Sequence, residues 1–112
     1  MDKAFAYICA PEDTGMRQLA KYCRKVLDLG YIPVCPRLDA AHYLDFESTD
    51  DSKLYQDMAR LQLRRCRMLV LCGQETTAAM TGEISMADKH HLICTTLDGL
   101  VKIKEAQHRY AS

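Results

Sequence analysis

The sequence predicts a small doubly wound α/β fold, a parallel sheet of four to five strands in the order 2-1-3-4 with helices on both faces. Three observations lead there. Four short runs, AFAYIC (4–9), YIPVC (31–35), MLVLC (68–72) and LICTTL (92–97), are apolar on both parities, as strands covered on both faces require. Helical patterns separate them, so each strand returns by a crossover, and strands joined that way lie parallel. At 112 residues the chain is one ordinary domain over residues 1–112, with a single core.

Taken in order, the first strand leads into a helix whose apolar face carries Met16, Leu19, Ala20, Cys23, Val26 and Leu27, and Gly30 stands where a left-handed cap would end it. After the second strand, PRLDAAHYLDFESTD forms a connection of unusual length containing Arg37, Asp39, His42, Tyr43 and Asp45; it reads either as a lid or as a packed surface loop. A second helix is expected from about Ser52, preceded by the acidic stretch STDD, through Leu54, Met58 and Leu61 to Arg67. Its basic end RRCR complements the negative helix C-terminus and reads as a solvated face. The third helix is TTAAMTGEISMADKHH, with Thr76 or Thr77 as its N-cap, and DGLVKIKEAQHRY supplies a tail helix over about 98–109. The order β-α-β-loop-α-β-α-β-α is flavodoxin-like, or Rossmann-like in the broad sense.

Composition excludes several functions. Fifteen Lys plus Arg balance fifteen Asp plus Glu, so no global field draws the protein to a nucleic acid polymer. The six cysteines form no C-x-x-C pair and have no histidine at ligand spacing; neither a zinc site nor a disulfide framework is indicated, and free buried thiols in a reducing cytoplasm are expected. The N-terminus MDKAFAYICAP is too short and polar for a signal peptide, and no run approaches a membrane span of about 20 apolar residues. With no G-x-G-x-x-G and no G-x-x-x-x-G-K-[ST], NAD or ATP held in the usual manner is disfavoured, and no cofactor or metal is expected.

In a sheet of this kind ligands sit beyond the carboxyl ends of the strands, at the switch point between the first and third. That rule selects APEDTG, PRLDAAHYLDFESTD, GQETT and TTLDG. Within the third helix Met80, Glu83, Ile84 and Ala87 share one stripe, so a carboxylate stands on the face that should meet the sheet. Burial there would raise its pKa, the usual preparation for acid, base or nucleophile work; alternatively Glu83 snorkels at the edge of a broad stripe. Thr77 offers a hydroxyl beside free backbone N–H groups, suited to a phosphate or a ribose hydroxyl, or serves only as a cap. Tyr7, at the end of the first strand, is core or pocket wall. His42, His90 and His91 have no partner defined by spacing.

Four segments, YICAP, CRKVLDLGYIPVCP, DMARLQLRRCRMLVLCG and TTAAMTGEISMA, resemble the nucleoside 2-deoxyribosyltransferase-like superfamily over about residues 4–97, with the closest likeness to its small DUF4406-type domains. The most specific part is the pattern S-x-G-M-x-x-E-I-x-x-A, which here runs from Thr77 through Ala79, Met80 and Glu83 to Ala87. The resemblance implies that Glu83 is the nucleophile on the anomeric carbon of a nucleoside or nucleotide. It further implies that Thr77 contacts sugar or phosphate and that Tyr7 lines the pocket. An N-glycosidic bond breaks through an oxocarbenium-like state that a buried carboxylate can stabilise and trap.

The sequence departs from the family at several points. Pro11-Glu12-Asp13-Thr14 replaces a P-Y-R-G stretch, and an acidic pair repels a phosphate. Arg67 stands where the family has an aspartate before the third strand, Asp57 lies near the second catalytic aspartate but out of register, and Ala79 replaces a glycine. The expected site comprises Glu83 as catalytic residue, with Tyr7, Ala10, Pro11, Thr77, Ala79 and Met80 binding the substrate and Arg37, His42 and Tyr43 closing over the base. The activity implied is that of an N-glycosidase or deoxyribosyltransferase in a homodimer or larger homo-oligomer. Two alternatives remain beside it: a catalytically silent module that senses or sequesters a nucleotide-like ligand, and a regulatory partner protein with a vestigial pocket.

Overall fold

The computed structural model describes residues 3–110. Nine elements follow one another: β1 (Phe5–Cys9), α1 (Met16–Asp28), β2 (Ile32–Val34), α2 (Pro36–Ala40), α3 (Thr49–Arg64), β3 (Met68–Leu71), α4 (Ala78–Lys89), β4 (Ile93–Thr96) and α5 (Leu97–Tyr110). The strands form one parallel sheet of four, in the order β2-β1-β3-β4. β2 lies at an edge, which is why Pro33, having no N–H to donate, is accommodated in it.

Strand parity divides the core. Ala6, Ile8 and Ala10 with Met68, Val70 and Cys72 face α1 and α5, where Leu19, Val26 and Leu100 cover them. Tyr7, Cys9 and Leu69 face the other way, against Leu63 of α3 and Met80 and Ala87 of α4. Both parities of the central strands are therefore buried, the physical basis of their unbroken apolar runs. α1 ends as its sequence suggests: Gly30 adopts φ +101°, and Tyr31 N–H returns to the Val26 carbonyl at 3.2 Å.

Two sequence expectations need correction. The long connection after β2 is not loop throughout, because Pro36, with its fixed φ and missing N–H, opens the short helix α2. α3 then starts at Thr49, before the expected Ser52, because Ser48 caps it by accepting from Asp51 N–H at 3.3 Å. The second correction concerns the buried face of α3. Leu54 and Leu61, read from the sequence as its apolar stripe, are 53% and 57% exposed, whereas Leu63 is buried. Ser52, Tyr55, Gln56, Ala59, Arg60 and Leu63, one residue round the helix, form the stripe that faces inward. Its polar members hid it from a reading based on hydrophobicity, and they face a cavity rather than a dry core.

Candidate functional site

That cavity, about 590 Å³, lies on the α3/α4 side of the sheet, beyond the ends of β1 and β2. Its wall takes Tyr7 and Ala10 from β1 and its end, Glu12 from the following loop, and Cys35, Pro36 and Arg37 from the start of α2. α3 contributes the stripe just named, and α4 contributes Ala79, Gly82, Glu83 and Met86. No lining residue comes from GQETT or TTLDG. Gly73, at φ +90°, lets the turn after β3 pack against Pro11.

Glu83 is half-buried on the cavity wall, and Cys9 Sγ donates to its Oε1 at 3.6 Å. Burial raises its carboxyl above the usual range; hydrogen bonding from Tyr7 and Cys9 and the charge of Arg37 oppose the rise. The neighbours respond in turn. Burial first, then the Glu83 charge, pushes the Tyr7 hydroxyl and the Cys9 thiol far up, so both remain protonated donors. The same two causes push Tyr55 up to about 12. Glu83 is thus a carboxyl group in an apolar wall, surrounded by neutral donors.

A second polar cluster forms the rim. Thr77 caps α4, its Oγ1 accepting from Met80 N–H at 3.3 Å, while Thr77 N–H donates to Met80 Sδ at 3.4 Å. The Thr77 hydroxyl proton goes to Glu12 Oε1 at 2.6 Å. This hydrogen bond is the first cause holding the Glu12 carboxyl below its ordinary range; the backbone N–H groups of Glu12 and Ala79 and the Arg37 charge add to it. Arg37 reaches across from α2 and donates from Nη1 to the Glu12 carbonyl at 2.6 Å and from Nη2 to the Pro11 carbonyl at 3.0 Å. The loop after β1 is therefore tied to both α2 and α4.

The profile of DUF7768, a domain of unknown function, matches residues 4–97. The chain belongs to this family. DUF7768 takes the place of the DUF4406-type family suggested by the motif. No curated protein sequence matches this DUF7768 chain. Among solved structures, that of a 2-deoxyribosyltransferase from the psychrotolerant bacterium Bacillus psychrosaccharolyticus is similar, with a TM-score of 0.61, 13% identity, and 83% of this chain and 72% of that one covered. At this identity the likeness is one of fold, and it agrees with the deoxyribosyltransferase-like architecture expected from the sequence.

Of the site residues expected from the sequence of the DUF7768 domain, Tyr7, Ala10, Arg37, Ala79 and Glu83 come together on the cavity wall. Pro11 and Thr77 stand at the rim outside the lining, and Met80 is buried beneath α4. Tyr43 is 63% exposed, its hydroxyl directed to Met58 Sδ at 3.9 Å, and His42, also exposed, lies outside the cavity with it. His90 and His91 follow the far end of α4. Asp57 points outward, 3.8 Å from Arg60 Nη1, and Arg67 is exposed at the start of β3. Sequence reasoning missed Glu12, Cys35, Phe46 and the α3 stripe as cavity wall. The i, i+3, i+4, i+7 spacing of Ser52, Tyr55, Gln56 and Ala59 was the one available signal. Among the described residues no group of three or more His, Cys, Asp or Glu is placed to hold a metal ion, and no helix is long and apolar enough to cross a membrane.

Proposed function

We propose that this protein acts on the N-glycosidic bond of a nucleoside, with Glu83 as the nucleophile. The observation that carries the reading is Glu83 itself, a half-buried carboxyl on the wall of a cavity large enough for a nucleoside. A carboxylate oxygen of Glu83 would attack the anomeric carbon as the bond to the base breaks, with the bonding electrons leaving on the base. Water would resolve the glycosyl ester in a hydrolase, and a second base would do so in a transferase, releasing Glu83 in either case. Cys9, kept protonated, orients the carboxylate by donating to it, and the Tyr7 hydroxyl beside it stays protonated as well. The fold likeness to a 2-deoxyribosyltransferase supports the choice of substrate class.

Incubation with a panel of nucleosides, deoxynucleosides and their 5'-monophosphates, followed by chromatography for free base, tests the reading. At least one substrate is expected to release base, and Glu83→Ala is expected to lower the rate by about three orders of magnitude or more. No release from any of them, with the variant indistinguishable from wild type, rejects catalysis.

A second reading, a silent nucleoside-binding module, is favoured by the absence of any aspartate from the cavity wall and by Asp57 facing solvent. Its signature is thermal stabilisation by a nucleoside without turnover. We also propose a homo-oligomer, supported by the exposure of Tyr43, Leu54 and Leu61. Light scattering during size-exclusion chromatography checks it, and a monomer at every concentration would refute it.

A further inference from the structure

We propose that Glu12 sets the specificity of this cavity: its carboxylate fills the anion position at the start of α4, so the cavity admits an uncharged nucleoside and rejects the 5'-phosphorylated form. The inference rests on the nucleoside reading for the identity of the ligand, but not for the exclusion of anions. The start of α4 combines the positive end of a helix with the Thr77 hydroxyl and the Ala79 N–H, and the Arg37 guanidinium stands nearby. Those are the parts of a phosphate cradle. Here the chain supplies its own anion from 65 residues away, Thr77 Oγ1 giving its only proton to Glu12 Oε1 at 2.6 Å. Arg37 is engaged at the same place, on the carbonyls of Pro11 and Glu12.

A phosphate arriving at this rim meets a carboxylate in the place it needs and must displace it against like-charge repulsion. A sugar hydroxyl meets no such barrier. Glu12 bonds Thr77 through one oxygen, and the lone pairs left on its carboxylate can accept a hydrogen bond from the ligand. Glu12 is thus an acceptor for a neutral donor and a barrier to an anion. Removing it frees the Thr77 hydroxyl, the α4 N–H groups and the remaining guanidinium donors together.

The experiment compares wild type, Glu12→Gln and Glu12→Ala by thermal shift and calorimetry at constant ionic strength. The probes are inorganic phosphate, a nucleoside panel and the matching 5'-monophosphates. Wild type is expected to gain nothing from phosphate beyond a chloride control. Glu12→Ala is expected to be stabilised by phosphate and to shift the affinity ratio of monophosphate to nucleoside at least about tenfold toward the monophosphate. Glu12→Gln, which loses the charge but keeps an acceptor, should fall between, and adding Thr77→Val to Glu12→Ala should abolish the gain. Equal phosphate or monophosphate affinity in wild type and Glu12→Ala overturns the inference. If nucleosides are cleaved and the ratio does not move, the inference alone falls. If Glu12→Ala gains phosphate while no protein binds or cleaves a nucleoside, anion exclusion stands and the nucleoside reading falls.

Discussion

The packing of Pro11 against Gly73 makes Gly73→Ala an informative perturbation. Gly73 sits at φ +90°, and a Cβ there would stand 3.2 Å from Pro11 Cδ, 3.6 Å from Pro11 Cγ and 3.6 Å from the Tyr22 hydroxyl. The left-handed backbone alone costs an alanine about 1–2 kcal/mol. Pro11 can give way only by moving a loop whose carbonyls hold Arg37, so little of that cost is relieved. An unfolding entropy of about 2.1 cal/mol/K per residue, over 112 residues, converts the penalty into a Tm lower by roughly 4–9 °C. Gly82→Ala is the matched control. Gly82 lies inside α4, and an added methyl there would have nothing within 4 Å, so alanine should gain about 0.5–1 kcal/mol, or roughly 2–4 °C. Circular dichroism melts at one pH and salt concentration measure both. A Gly73→Ala protein melting at or above wild type would refute the left-handed backbone and the tight packing of Pro11 at this position.

Three further predictions concern the cavity and the core beneath it. Because Glu83 has a raised carboxyl pKa in the folded protein, stability is lost as pH rises from the ordinary carboxylate range through the folded value; Glu83→Gln should therefore melt above wild type at pH 8 and converge with it below about pH 4, and parallel curves would reject the burial argument. Hydrogen bonding from Cys23, with backbone N–H groups at the start of α2, holds the Cys35 thiol below its ordinary range on the cavity wall. Mass spectrometry should find Cys35 carbamidomethylated by iodoacetamide at neutral pH, more slowly in Cys23→Ala, and an unchanged rate would refute the pairing. Leu69 is fully buried on the α3/α4 face of β3, so Leu69→Ala should cost about 2–5 kcal/mol in urea unfolding, and a loss well under 1 kcal/mol would deny that this face is packed.

The sequence by itself determined the elements whose information is local. MLVLC is apolar on both parities because Met68 and Val70 pack one way and Leu69 the other. Gly30 ends α1 because its positive φ is a property of the residue. Glu83 was legible for the same reason, since Met80 and Ala87 define the buried stripe of α4 without reference to any other element. Only the tertiary structure decided what lies across from each face. α3 carries two stripes at helical spacing, and the one beginning at Ser52 turns inward because its polar members meet a cavity that other elements create. Arg37, expected at the site, lines the cavity and also braces the loop after β1, because its partners are carbonyls on another element. For Glu12 the sequence showed the charge, half of an acidic pair that repels a phosphate, but not its partner. Its bond from the hydroxyl of Thr77, 65 residues away, leaves no periodic trace, because hydrogen bonds between distant segments depend on the arrangement of the sheet rather than on spacing along the chain.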